Sequence, residues 1–359
     1  MLDRIALSRF RNHAETALDG AGKLNLLLGE NGAGKTNVLE ALSLFAPGRG
    51  LRRNRPSDMA SNGGDGGFAI GASLATGGET VRLATFVEAA HPNRRNVQIN
   101  GAPSPATALG EWVAVSWLTP AMDGLFADSA GARRRYMDRL AVALDPLHAR
   151  HAARYEQGLR ERNRLLADDA APDPVWLDGI EAQMAEHGFA LATGRARLVA
   201  DLVEALSHLP DEPFARPALS YDAGGPLDRE ELAARWHSNR QRDRAAGRTL
   251  TGPQRDELSV TMSRNAMPAA DCSTGEQKAM LIAMTLAHSE LAARGRPSVL
   301  LLDEVAAHLD PRRRAALFER LNEGAAQVWM TGTEPAPFDE IVGSSAYWRV
   351  AGGSVRKIG

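Results

Sequence analysis

Eight consecutive residues, Gly29-Glu30-Asn31-Gly32-Ala33-Gly34-Lys35-Thr36, have the types and spacing needed to hold a chain of phosphates. The glycines let backbone N–H groups converge on phosphate oxygens with no Cβ in the way. In this pattern the lysine reaches the β- and γ-phosphates and the hydroxyl ligates Mg²⁺, positions filled here by Lys35 and Thr36. Asn37 continues the same turn and is counted with the site. Lysine is scarce in the chain, at Lys23, Lys35, Lys278 and Lys357, so a chance lysine at the motif position is correspondingly less expected.

Two adjacent carboxylates, Asp303 and Glu304, end the apolar run Val299-Leu300-Leu301-Leu302. Strand ends of open α/β sheets face the ligand crevice, so both acids can approach a phosphate loop there. Asp303 suits Mg²⁺ through water, and Glu304 suits a general base that polarises the attacking water. Apolar strands followed by Asp-Glu are common, but beside a complete phosphate loop the pair reads as its metal-holding partner. ATP and Mg²⁺ are the expected ligands, with Glu304 and Lys35 catalytic.

A third stretch, Cys272-Ser273-Thr274-Gly275-Glu276-Gln277, precedes a helical run that Gly295 closes. Ser273 with Glu276 makes a plain capping box, which accounts for both residues without any function. It does not account for Gly275, which lowers helix propensity in the first turn. A glycine-containing helix start with a free hydroxyl is suited to holding phosphate.

The elements that must position these residues follow from pattern. Leu24 to Leu28 reads as a buried strand, and Lys35 to Phe45 as a helix stopped by Pro47-Gly48. Residues 61–118 are Gly-rich with short β-prone runs, as expected of hairpins in an antiparallel sheet. From Gly131 to Arg248 the chain is Ala- and Arg-rich and broken by Pro172, Pro174, Pro210, Pro213 and Pro217 into several helices. Strand-like pattern returns at Leu258. The expected fold is α/β: a P-loop core with an added antiparallel β region, and an inserted, mainly helical lobe. The boundaries read as 1–130 for the first part of the head, 131–248 for the lobe and 249–359 for the second part of the head.

The order P-loop, Ser-x-Gly-Glu-Gln helix, Asp-Glu strand, then His308-Leu309-Asp310 resembles the ABC-type ATPases. The resemblance implies that Ser273, Gly275 and Glu276 belong to the signature and Asp310 to the D-loop. It also implies that the signature meets the γ-phosphate held by a second copy, so that ATP closes a homodimer. Glu276 stands where many members have Gln, and Thr274 where many have Gly. Residues 131–248 lack the long heptad run of a coiled-coil chromosome protein.

Further stretches narrow the resemblance to the RecF family of DNA replication and repair proteins. They are Ser8-Arg9-Phe10-Arg11-Asn12, Gly48-Arg49-Gly50-Leu51-Arg52, Ala132 through Asp138, and above all Gly252-Pro253-Gln254-Arg255-Asp256-Glu257-Leu258. Gln254 replaces the His of that last motif. No Gln occurs around Trp117-Leu118-Thr119-Pro120, where a Q-loop belongs, and Thr331-Gly332-Thr333 stands where a transporter has its switch His. Both departures, with the large insert, argue against a transporter subunit. The resemblance implies duplex DNA near single-strand gaps as partner, cooperation with RecR in assisting RecA loading, and slow hydrolysis. An ATP-gated clamp with scarcely any turnover is the alternative that the motifs leave open.

Composition sets bounds around this. The 359 residues carry a formal charge of −2, so any DNA contact depends on local arginine clusters. These are Arg49 to Arg55, Arg133 to Arg135, Arg150 to Arg164 and Arg235 to Arg248, and for each a solvated, ion-paired face is the plainer explanation. Arg312-Arg313-Arg314, past the D-loop, read as dimer-interface or solvent residues. Aromatics at 5% are too sparse for a base-stacking platform. One cysteine, charges at the N-terminus and no apolar run of membrane-spanning length lead to the expectation of a cytoplasmic protein without a membrane partner.

Overall fold

The computed structural model describes residues 1–61, 63–168, 172–210, 212–306 and 309–358. His308 of the expected D-loop lies outside the described residues. Along the chain the elements are β1 (Leu2–Phe10), β2 (His13–Asp19), β3 (Leu24–Leu28), α1 (Lys35–Ser43), β4 (Phe68–Thr76), β5 (Glu79–Val87), β6 (Arg95–Ile99), β7 (Ala102–Pro103), α2 (Leu109–Trp112) and β8 (Ala114–Leu118). Then come α3 (Ala130–Leu144), α4 (Leu147–Leu166), α5 (Pro174–Ser207), β9 (Pro217–Asp222), α6 (Arg229–Ser238), α7 (Arg240–Ala245) and β10 (Glu257–Met262). The last are α8 (Thr274–Ala292), β11 (Ser298–Leu302), α9 (Pro311–Glu323), β12 (Gln327–Gly332), β13 (Ala346–Ala351) and β14 (Ser354–Lys357).

Two compact units result, one of Met1–Asp123, Pro210–Ala215 and Lys278–Gly359, the other of Gly124–Leu209 and Arg216–Gln277. The first holds two six-stranded sheets. One is antiparallel in the order β2-β1-β4-β5-β6-β7, and its strands alternate buried and exposed residues because one face meets the core. The other runs β14-β13-β3-β12-β11-β8, parallel except for the β13–β14 hairpin. Strands β3, β8, β11 and β12 are buried at every position, which is why Leu24–Leu28 and Ser298–Leu302 read as unbroken apolar runs. Between the sheets Trp329 stacks on Trp348 with ring centroids 5.3 Å apart, while Phe10 meets Phe68 edge-on.

The second unit is built on the 34-residue helix α5, capped by Asp173, whose carboxylate accepts from Val175 N–H with Pro174 in the first turn. Helix α4 packs along it around Tyr155, Met184, Leu191 and Trp236. Arg162, fully buried, bridges Glu181 at 2.9 Å and Asp243 at 2.7 Å. The unit departs from the expected 131–248 at both ends. It begins at Gly124, and β10 pairs antiparallel with β9 instead of joining either head sheet. The stretch 249–277 therefore clusters with the helices, and the mainly helical lobe also contains a strand, started by Pro217, that the sequence reading did not place.

Candidate functional site

In the first unit β3 delivers the loop and α1 carries it on. Gly34 stands at the helix start with φ +113°, a conformation closed to side-chain residues, and no side chain caps the N–H groups behind it. Glu30, Asn31 and Gly32 are exposed, and Gly29 N–H donates to Gly332 O on β12 at 3.3 Å. Lys35, itself buried, donates its ammonium to the carbonyls of Gly29 (2.7 Å) and Glu30 (2.9 Å). Burial pushes its pKa down, with Glu304 and Asp303 opposing.

The two acids at the end of β11 reach this loop across the sheet. Thr36 Oγ1 donates to Asp303 at 2.9 Å and 3.1 Å to its two oxygens. Hydroxyl and carboxylate are hard oxygen ligands, the donor set Mg²⁺ prefers. Asp303 N–H donates to Leu118 O at the end of β8, so the Gln-free stretch 117–120 flanks these acids. Thr331, buried on β12, donates to Asp303 Oδ1 at 2.7 Å and accepts from Glu304 N–H at 2.9 Å.

Sequence reasoning overlooked several supports of the loop. Asn12 donates to Ala33 O at 3.0 Å and accepts from Asn37 Nδ2 at 2.7 Å. The fully buried His13 meets Gly34 O at 3.0 Å. Glu40, wholly buried in α1, is gripped by Arg11 at 2.7 Å and Arg52 at 2.8 Å, and Arg52 also donates to Asn37 Oδ1. The two Arg-bearing stretches quoted for the family resemblance thus converge on one carboxylate behind the phosphate loop.

The signature residues belong to the second unit. Ser273, Thr274 and Gly275 are exposed, and the expected capping box is present: Ser273 donates from N–H and Oγ to Glu276 Oε2 at 3.0 Å and 2.8 Å. Arg264 holds the other oxygen of Glu276 at 2.6 Å. Asp310 accepts from Arg313 N–H at 2.9 Å as the cap of α9, with Pro311 in its first turn.

A match to the RecF/RecN/SMC N terminal domain spans residues 1–343. The chain is 46% identical to the DNA replication and repair protein RecF of Mesorhizobium japonicum, covering 99% of this chain and 97% of that one. The chain belongs to the RecF family. The RecF of Brucella suis biovar 1 is 45% identical over 99% of this chain and 96% of its own. Among solved structures, the recombination mediator protein RecF-ATPrS in the RecFOR pathway superposes with a TM-score of 0.88 at 21% identity, covering 100% of this chain and 98% of that one. An Smc head bound to the C-winged helix domain of ScpA gives 0.52 at 14%, covering 99% and 97%. The fold is that of an ABC-type ATPase head with a helical insertion.

The family explains where the other quoted stretches go. Arg195 on α5 forks Asp138 at 2.8 Å and reaches Asp256 at 2.9 Å, while Arg133 pairs with Glu257 at 2.7 Å and Arg134 donates to Asp256 O. Gln254 donates to the carbonyls of Thr249 and Thr251 and accepts from the Tyr155 hydroxyl, so an amide satisfies this buried corner where the family motif has His. These stretches build the second unit. Arg240, tied to Glu181 and Asp178, is likewise structural.

Proposed function

We propose that this chain is an ATP-hydrolysing, DNA-binding protein of recombinational repair and replication-gap processing. It pairs with a second copy when ATP and Mg²⁺ are bound and separates on slow hydrolysis. The observation that carries this reading is the 2.9 Å meeting of Thr36 and Asp303 beside the uncapped start of α1. The free N–H groups there suit phosphate oxygens. Lys35 uses two of its three ammonium hydrogens on carbonyls, which leaves one for a phosphate. Bound Mg²⁺ would neutralise charge on the β- and γ-phosphates. Glu304 accepts the proton of the attacking water, and Ser273 with Gly275 of a second copy closes over the γ-phosphate, with Asp310 beside it.

The names of the solved relatives support the pathway: one is RecF with ATP in the RecFOR pathway. Cooperation with RecR in assisting RecA loading, and a duplex partner near single-strand gaps, follow for this chain by that kinship. Among the described residues no helix is long and apolar enough to cross a membrane; the cytoplasm is the proposed location.

Titration with an ATP analogue and size-exclusion with ATP and Mg²⁺ test the reading together. Lys35→Ala is expected to lose nucleotide binding, and wild-type affinity in that variant would remove the phosphate-loop assignment. Glu304→Gln is expected to accumulate as an ATP-bound dimer; a monomer under those conditions would sink the pairing scheme.

A further inference from the structure

In the parallel sheet β12 lies between β3, which leads into the phosphate loop, and β11, which ends in the two acids. Its last two residues touch both. Gly332 O accepts from Gly29 N–H, and a Cβ on Gly332 would sit 2.3 Å from the Phe338 ring and 2.9 Å from Leu28, so only glycine fits beside the loop. The preceding residue, Thr331, is 1% exposed and has its hydroxyl engaged by the two acids.

The directions of its hydrogen bonds are fixed by chemistry. Glu304 N–H can only donate and the Asp303 carboxylate can only accept, so the Thr331 hydroxyl takes one bond and gives the other. Asp303 Oδ1 thereby serves Thr331 and Thr36 at once. Glu304 has φ +51°, a left-handed conformation uncommon for a side-chain residue that persists where its surroundings hold it. The bond from its N–H to Thr331 is such a hold. Among the described residues, Thr331 is the only side chain bonded both to Asp303 and to the backbone of Glu304.

We infer that Thr331 is a positioning residue for hydrolysis, aiming Glu304 and orienting Asp303 toward Thr36 without touching the nucleotide. The role rests on the ATPase reading above. Valine keeps the shape and removes both bonds, whereas serine keeps both, so the pair separates hydrogen bonding from packing.

Steady-state turnover, nucleotide affinity across a Mg²⁺ series and melting of the nucleotide-free full chain test the inference with T331V and T331S. T331V is expected to lose kcat by about tenfold or more, the effect of lost bonds to a charged group and its neighbour, with KM within about threefold. It should also need more Mg²⁺ to tighten nucleotide binding, and T331S should restore both readouts. A T331V kcat within about threefold of wild type, a loss confined to KM, or a serine variant as poor as valine each overturns the inference. If T331V melts below the assay temperature, T331A is measured in its place against the same limits. Failure of the ATPase reading looks different: wild type would turn over no faster than Glu304→Gln, and the Mg²⁺ series alone would then decide whether Thr331 orients Asp303.

Discussion

Asp138 is a carboxylate whose stabilising effect depends on its being ionised. Burial pushes its pKa up, but hydrogen bonds from His148 (2.9 Å) and Arg195 (2.8 Å) outweigh this and bring it down to about 2 from the ordinary 3.8. A folded-state value below the unfolded one means stability that is present above pH 3.8 and lost as pH falls through 2. The span corresponds to roughly 2 kcal/mol. Urea midpoints of the full chain should therefore fall between pH 4 and pH 2, and Asp138→Asn should flatten that fall while lowering stability at neutral pH. An unchanged acid limb in the variant would assign the lability elsewhere. The same residue shows where reading the sequence stops. The phosphate loop is contiguous and its chemistry lies in its own spacing, whereas Asp138 meets Arg195 across 57 positions and Arg195 meets Asp256 across 61. A motif that marks the family so strongly offered no sign that its work is internal pairing. Thr331 was legible only as the absence of a switch His, because its two bonds exist only once β12 lies beside β11.

At the scale of elements, pairing within the second unit decides which arginines remain available. Arg133, Arg162, Arg195 and Arg240 are committed to carboxylates, so the clusters read from sequence shrink. Helix α4 keeps Arg150, Arg154, Arg160 and Arg164 exposed, with Arg160 only loosely paired to Glu156 at 3.5 Å. From the first to the last the helix rises about 21 Å, a length comparable to several phosphates of a duplex strand. If this face meets a DNA backbone, Arg150, Arg154 and Arg164 changed together to Gln should weaken duplex binding and reduce the slope of log affinity against log salt by two to three, roughly 0.9 per contact. An unaltered slope would move the duplex to another surface. The sequence grouped Arg150 to Arg164 as one cluster and did not separate Arg162, fully buried between Glu181 and Asp243, from the four that stay exposed. Strand β10 was read from the pattern at Leu258, but β9 was not, because its partnership with β10 across the intervening α6 and α7 is a tertiary fact.

For the whole molecule, the phosphate loop belongs to one compact unit and the exposed Ser273-Thr274-Gly275 to the other. The proposed pairing sets this exposed Ser273 over the phosphate of a second copy, its hydroxyl exchanging the bond to Glu276 for one to phosphate. This has a consequence that single variants cannot test. Lys35→Ala removes the phosphate lysine and Ser273→Arg blocks the signature, so each pure variant should be unable to form a closed site. In a mixture, a two-fold pair of unlike copies holds one site with intact Lys35 from one and intact Ser273 from the other, while its second site carries both lesions. Mixing should therefore restore ATP-dependent pairing, and turnover to at most about half that of a wild-type dimer, where neither variant alone shows any. Light scattering reads the pairing and phosphate release reads the turnover. If Lys35 and Ser273 instead acted on one nucleotide within the same copy, every molecule in the mixture would carry a broken site, and mixing would recover nothing.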